Sequence, residues 1–262
     1  MTLRIAYFIL FLLLASQTAC AHTAKETKLQ CLRKNYPAFT IASDNNTIYF
    51  QDNHSAKWDD GASKDLENDF DHILENTSNI SQMFLIPYPS GQYPQFKIPQ
   101  TNEDPGRIRL DLFFLKIYGD NPEKIKSDLV PVKWIDDTTI LFNKNFGAAN
   151  ALQNVSNELK NLIIKKPYLK EHLISPIGGT FEWRPIAGTN RFSVHSFGVA
   201  IDINTKKSDY WYWDKKNSYN YKNRIPTEIP EVFEKFGFIW GGKWYHYDTM
   251  HFEYRPELFN CR

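Results

Sequence analysis

At residues 193–202 the chain reads Ser-Val-His-Ser-Phe-Gly-Val-Ala-Ile-Asp, and at residues 248–253 it reads Asp-Thr-Met-His-Phe-Glu. These stretches contain His195, Asp202 and His251. Two imidazoles and one carboxylate are a sufficient protein ligand set for a catalytic zinc ion that keeps its fourth position for water. Asp248 then lies near that position, where a general base is needed, without being a ligand itself. Spacing alone leaves open the alternative that these are unrelated polar residues in loops.

Side-chain alternation predicts a β-strand in each stretch. In residues 199–203 three aliphatic side chains are expected on one face, and Ala200 and Asp202 on the other; in residues 250–254 His251 and Glu253 are expected to share a face. Gly198 permits a tight passage of the chain between His195 and the first strand. We therefore expect Glu253 beside the candidate site, where it either orients a metal ligand or forms a simple salt bridge.

Both stretches resemble signatures of the zinc D-Ala-D-Ala carboxypeptidases and L-alanyl-D-glutamate endopeptidases, a family that cuts peptidoglycan peptides. Residues 193–202 are similar to the SxHxxGxAxD signature, and residues 248–253 to a second signature with an acidic general base three positions before a His. Residues 238–244, Phe-Ile-Trp-Gly-Gly-Lys-Trp, resemble the subgroup that contains the endopeptidases. The HExxH pattern of thermolysin-like proteases is absent. The resemblance covers roughly residues 130–260.

This resemblance implies an α+β fold, namely a Hedgehog/DD-peptidase-like zinc peptidase domain with a small antiparallel sheet and flanking helices. It implies that His195, Asp202 and His251 bind Zn²⁺ and that Asp248 is the general base, although many members carry Glu at that position. Manganese and cobalt are alternatives for this donor set in the isolated protein.

The resemblance also extends to residues 178–185, Gly-Gly-Thr-Phe-Glu-Trp-Arg-Pro, which are similar to the segment carrying an arginine that stabilises the scissile carbonyl. Arg184 is therefore the candidate for that role, and Arg191, which lies closer to the ligand motif, is its rival. Ser193 is expected to contact substrate or to form a structural turn. His246 is expected not to be a ligand, because the set of three is complete, and is kept as a weak candidate near the base.

Two function classes are compatible with this resemblance. The first is hydrolysis of peptidoglycan stem peptides, either as a D-Ala-D-Ala carboxypeptidase or as an L-Ala-D-Glu endopeptidase, and the Trp-Gly-Gly stretch favours these over free-dipeptide hydrolysis. The second is a non-catalytic Hedgehog-like zinc module that binds peptidoglycan or a protein partner. The presence of Asp248 argues against the second, because a structural zinc site needs no base.

Residues 1–21 are predicted to be a signal peptide that directs export to the periplasm or the extracellular space. Arg4 precedes an apolar run from Ile5 to Ala15, which is short for a membrane span, and a small-x-small pattern predicts cleavage after Ala21. The alternative is a lipoprotein anchored at Cys20. Gln17 disfavours it, because it occupies a position where a lipobox normally carries an aliphatic residue.

Either cleavage leaves Cys31 and Cys261, and two cysteines in an exported chain predict a disulfide that ties its two ends together. The alternative is two unrelated thiols. No later segment is long and apolar enough to predict a transmembrane span. The chain has 31 basic and 30 acidic residues and a net charge of +1, so no nucleic-acid partner is expected. No feature of the sequence indicates an oligomeric state.

Residues 22–129 are predicted to be an N-terminal extension of unknown role that packs on the catalytic module, and the resemblance implies a zinc peptidase domain over residues 130–262. Apolar spacing predicts helices over 66–85, 148–164 and 228–236, with Thr227 as N-cap and Gly237 as stop for the last. Strands are predicted over 107–118, 130–134 and 139–142, the last two around a turn at 136–137. Proline and glycine predict loop or turn over 86–106.

Overall fold

The computed structural model describes residues 25–214 and 219–261, so the predicted signal peptide and Cys20 lie outside the described residues. Within them the chain mixes helices with small antiparallel sheets, which confirms the α+β class. The strands are β1 (Phe39–Ile41), β2 (Thr47–Phe50), β3 (Ser55–Lys57), β4 (Leu129–Lys133), β5 (Thr139–Asn143), β6 (Ile177–Gly179), β7 (Ala200–Asn204), β8 (Phe238–Trp240) and β9 (His251–Tyr254). The α-helices are α1 (25–35), α2 (Phe70–Glu75), α3 (Asp111–Tyr118), α4 (Pro122–Asp128), α5 (Ala148–Lys165), α6 (Lys170–Leu173), α7 (Trp211–Asp214), α8 (Glu228–Lys235) and α9 (Glu257–Asn260). No helix in these ranges combines the length and apolar character of a membrane span.

A four-stranded antiparallel sheet in the order β6-β7-β9-β8 carries Asp202 and His251 on its two central strands. β7 pairs with β9 so that Asp202 lies opposite His251 and Ala200 lies opposite Glu253. Because side chains directly opposite each other in an antiparallel pair point to the same face, this register brings the Asp and His side chains together. The two strands predicted from alternation are confirmed, each shifted by one residue or less from its expected bounds.

The hairpin and the two later helices are also confirmed. β4 pairs with β5 across the predicted turn, with Val132 opposite Ile140. Helix α5 buries the regularly spaced Leu152, Val155 and Leu159, and it contacts β4 and α8. Thr227 is the residue before α8 but caps it with no side-chain hydrogen bond, and Gly237 adopts a positive φ of 84° just after it.

The strand predicted over 107–118 is wrong, because residues 111–118 form helix α3. The alternation that suggested a strand ends at Leu112. After it, Phe113 and Ile117, and likewise Phe114 and Tyr118, are buried at the four-residue spacing of a helix. Gly119, with a φ of 140°, follows as the C-cap.

The helix predicted over 66–85 is much shorter than expected. It is limited to α2, with Phe70, Ile73 and Leu74 buried, and a separate 3₁₀ turn forms at Ser81–Phe84. The side chain of Asn76 donates to the carbonyl of His72 at 3.0 Å. The Gln82 side chain accepts from the backbone of Ser78 and Asn79 at 2.8 and 3.0 Å. These side-chain to backbone bonds compete with a continuing helix. The predicted loop over 86–106 is confirmed.

The region before residue 130 shares one hydrophobic core with the region after it. The ring of Tyr36, just after α1, lies 5.7 Å from that of Phe113, and Phe114 lies 5.6 Å from Phe197 in the turn next to His195. The predicted disulfide between Cys31 and Cys261 is confirmed, with Cα atoms 5.5 Å apart. The boundary between residues 129 and 130 stays a prediction.

Candidate metal centre and active site

The three predicted ligands converge on one point. Nε2 of His195 lies 3.2 Å from Oδ1 of Asp202 and 3.2 Å from Nδ1 of His251, and the Asp202 and His251 atoms are 2.8 Å apart. Tetrahedral zinc with bonds of about 2.0 Å spaces its ligand atoms by about 3.3 Å. The set therefore matches a tetrahedral site closely, and these three residues form a group that can hold a metal ion.

Local backbone geometry explains how His195 reaches this point. It lies in a 3₁₀ turn (Val194–Phe197), and the hydroxyl of Ser193 caps that turn by accepting from the His195 backbone N–H at 3.3 Å. Gly198 follows with a φ of 66°, and an added Cβ would come within 2.6 Å of Leu129. The chain can thus turn from His195 straight into β7 only with glycine at this position.

Asp248 reaches the site through a tight turn into β9. Its carbonyl accepts from the backbone of His251 at 3.2 Å, and its own N–H donates to Gly241 at 3.0 Å. An added Cβ on Gly241 would lie 2.5 Å from the Asp248 carbonyl, so this close approach requires glycine. Burial and the nearby charge of Asp202 raise the pKa of Asp248 well above the usual carboxyl range.

The Oδ1 atom of Asp248 is buried and, within the described residues, has no hydrogen-bond partner. A buried carboxylate oxygen is normally paired, so this atom is available to a group that enters the site. A carboxyl group with a raised pKa that lines the same cavity as three candidate metal ligands is a candidate for a general base.

Glu253 lies on the far side of the His251 ring. Its Oε1 atom accepts from Nε2 of His251 at 3.0 Å, while Arg255 and Arg109 lie 3.3 and 4.0 Å from its carboxylate. Burial lowers the pKa of His251, but the hydrogen bonds to Asp202 and Glu253 outweigh it and raise the pKa to about 10. Both expected contacts of Glu253, with a ligand and with a cation, are therefore present.

A cavity of about 630 Å³ surrounds these groups, a volume in the ordinary range for small-ligand sites. The three candidate ligands, Asp248 and Glu253 form one part of its lining. The remainder includes further charged, polar and aromatic side chains: Arg107, Arg109, Arg184, Ser193, Tyr210, Trp211, Tyr212, Trp244 and His246.

The two arginines considered from sequence differ in position. Arg184 lines the cavity, 44% of its side chain is exposed, and its Nε atom pairs with Glu182 at 2.9 Å. Arg191 is buried, donates to the carbonyl of Arg107, and does not line the cavity. The geometry therefore favours Arg184 over Arg191 as the cation that meets a substrate.

His246 also lines the cavity, and it is not a member of the group of three candidate ligands. Its Nδ1 atom lies 2.5 Å from Oδ2 of Asp104, and its backbone N–H donates to Oδ1 of the same carboxylate at 2.9 Å. Sequence reasoning missed Asp104, Arg107 and Arg109. They lie in or next to the proline-rich loop, where no local pattern marks a functional residue.

Part of the chain, residues 187–254, matches the profile of a protein family described as D-alanyl-D-alanine carboxypeptidase. That segment contains the complete candidate ligand set and Asp248, so the match supports a peptidase. No curated protein and no solved structure matches the chain. Arg184 and Arg107 both precede the matched segment.

Proposed function

We propose that this protein is a zinc-dependent peptidase that hydrolyses peptide bonds in the stem peptides of bacterial peptidoglycan. The observation that carries the proposal is the convergence of His195, Asp202 and His251, whose ligand atoms lie within 3.2 Å of one another, in the same cavity as Asp248. The family match over residues 187–254 supports the substrate class.

Zinc is the metal that this donor set suits best. Two imidazole nitrogens and one carboxylate oxygen form a borderline-soft set, and three protein ligands leave one position open for catalysis. When bound, Zn²⁺ would lower the pKa of a water molecule and polarise the scissile carbonyl.

Asp248 acts as the general base in this proposal. Its unpartnered Oδ1 atom accepts a proton from the attacking water, and the protonated carboxyl group then returns that proton to the leaving amine. The raised pKa of Asp248 favours the first of these transfers, because a more basic carboxylate takes a proton more readily.

Arg184 stabilises the carbonyl oxygen as negative charge develops on it. Its side chain lines the same cavity as the candidate ligands, is half-exposed and pairs with Glu182.

The proposed substrate bond is either D-Ala-D-Ala or L-Ala-D-Glu, and the proposed location is the periplasm or the extracellular space, where peptidoglycan lies. The Cys31–Cys261 disulfide supports an oxidising compartment, because such bonds are rare in reducing ones.

Digestion of purified muropeptides by the zinc-loaded protein, with products identified by mass spectrometry, tests the function and identifies the bond. We expect about one zinc ion per chain and release either of a terminal alanine or of fragments cut before D-Glu. His251→Ala and Asp248→Asn proteins are run in parallel. Zinc-loaded wild-type protein that cleaves no muropeptide would contradict the proposal and favour a non-catalytic binding module.

A further inference from the structure

Charged side chains occupy every second position from Glu253 to Glu257, directly after the candidate ligand His251. Glu253, Arg255 and Glu257 are all buried, with exposed fractions of 2%, 0% and 0%. A buried charge is costly unless an opposite charge and hydrogen bonds compensate it. The partners of these three residues form a continuous path that leads away from the candidate metal centre.

Arg255 connects the two carboxylates. Its Nη1 atom donates to Oε2 of Glu253 at 3.3 Å, and its Nε atom donates to Oε1 of Glu257 at 2.5 Å. The Nη1 atom also donates to the carbonyl of Gly106 at 2.8 Å, which fixes the guanidinium from a third side. Glu253 thus contacts His251 with one oxygen and is held by Arg255 through the other.

The N-terminal extension supplies the far end of this path. The hydroxyl of Tyr36, just after α1, donates to Oε2 of Glu257 at 2.5 Å, and the Tyr36 side chain is fully buried. Burial and the adjacent Glu257 carboxylate raise the pKa of this hydroxyl, so it stays protonated and remains a donor. In this buried series (Glu253, Arg255, Glu257 and Tyr36), all four carboxylate oxygens therefore have a partner.

We propose that Tyr36, Glu257 and Arg255 are positioning residues for the candidate metal centre, and that through Glu253 they hold the His251 ring in the orientation that binds zinc. The inference rests on the proposed function, because it requires the zinc site. A ligand histidine depends for its orientation on the carboxylate behind it, and a carboxylate held at both oxygens has little freedom to rotate. The N-terminal extension, whose role the sequence does not indicate, thereby contributes to the metal centre through Tyr36.

A role in positioning explains why these charges are buried at all. Buried ion pairs add little net stability compared with apolar packing of the same volume, whereas their directional hydrogen bonds fix one geometry. Zinc affinity depends on that geometry, because the ligand atoms must be in place before the ion arrives.

A second tyrosine of the extension provides a matched control outside the buried series. Tyr88 is 1% exposed, and its hydroxyl donates to Oε1 of the buried Glu234 in α8 at 2.5 Å. Glu234 pairs with Lys243 at 2.7 Å instead of with Arg255. The Tyr88 hydroxyl also accepts from the backbone of Trp240 at 2.9 Å, so its removal should cost at least as much stability as removal of the Tyr36 hydroxyl.

The test measures zinc affinity, by competition with a chelator of known affinity, in four variants of the full chain: Tyr36→Phe, Glu257→Gln, Tyr88→Phe and Glu234→Gln. Glu257→Gln should weaken zinc binding by about 10-fold, the lower end of the usual range for an outer partner of a metal ligand, and Tyr36→Phe by several-fold. The Tyr88 and Glu234 variants should bind zinc as wild-type protein does. Visible absorption of the cobalt-loaded proteins reports ligand geometry, and only the first two variants should change it.

Wild-type protein that binds no zinc would overturn both the inference and the proposed function. Unchanged zinc affinity and cobalt absorption in folded Tyr36→Phe and Glu257→Gln proteins would overturn the inference alone. Equal losses of affinity in all four variants would also overturn it, because the effect would then follow from lost stability. If circular dichroism shows that Glu257→Gln does not fold, Tyr36→Phe decides, since it keeps every charge and removes a single hydroxyl.

Discussion

Glu253 and Asp202 hold opposite edges of the His251 ring: Oε1 of Glu253 lies 3.0 Å from Nε2, and Oδ1 of Asp202 lies 2.8 Å from Nδ1. With its proton on Nε2, the imidazole donates to Glu253 and presents the Nδ1 lone pair toward His195. A carboxylate behind a metal-binding histidine fixes both its tautomer and its orientation.

Glu253→Gln should therefore weaken zinc binding by about 10- to 100-fold, the usual effect of losing such a partner. Competition with a chelator of known affinity measures the change. Glu182→Gln, at an exposed carboxylate, is the control and should leave zinc affinity unchanged. Equal affinity of Glu253→Gln and wild-type protein would contradict this role for Glu253.

Zinc binding should release a proton from His251 at neutral pH. The pKa of His251 is raised to about 10 in the metal-free protein, so the ring is protonated at pH 7, and a ligating imidazole must be neutral. Affinity should rise with pH between about 7 and 9 as this competition weakens. Calorimetry in buffers of different ionisation enthalpy counts the protons, and zinc binding without proton release would refute the expectation.

Loss of the disulfide should destabilise the fold by about 2–4 kcal/mol, because it restricts the unfolded chain over a long loop. Cys31 and Cys261 are separated by 230 residues, which places this bond among those that close long loops. Denaturant unfolding of the Cys31→Ser/Cys261→Ser protein measures the effect. Unchanged stability would show that the bond contributes little, and zinc content should be the same in both proteins.

Arg184→Ala should lower kcat by about 10²- to 10³-fold with zinc content unchanged, if this arginine stabilises the developing negative charge. Steady-state kinetics on the bond identified by muropeptide digestion supply the measurement. A rise in KM with kcat preserved would instead assign Arg184 to substrate binding alone.

Those parts of the candidate site that depend on the alternation of neighbouring residues could be predicted from the sequence. Alternation placed Asp202 and His251 on strand faces, and the register of β7 with β9 then brought them opposite each other. Arg107 and Asp104 were not predictable, because they lie in or beside a loop whose position depends on contacts with residues far along the chain. The hydrogen bond from the His246 backbone to Asp104 is one such contact.

The error over residues 107–118 has a related cause. The alternating Ile108, Leu110 and Leu112 satisfy a strand pattern locally, but burial of Phe113 and Phe114 against the shared core favours a helix. Tertiary packing outweighs weak local preference in such short segments.

Asp248→Asn measures the central claim most directly. Asparagine keeps the size of the side chain but has no basic carboxylate, so the variant should keep its fold and about one zinc ion per chain. Its kcat on peptidoglycan stem peptides should fall by about 10²- to 10⁴-fold, the usual contribution of a positioned general base. Hydrolysis at the wild-type rate, with zinc content unchanged, would contradict the mechanism proposed for this site.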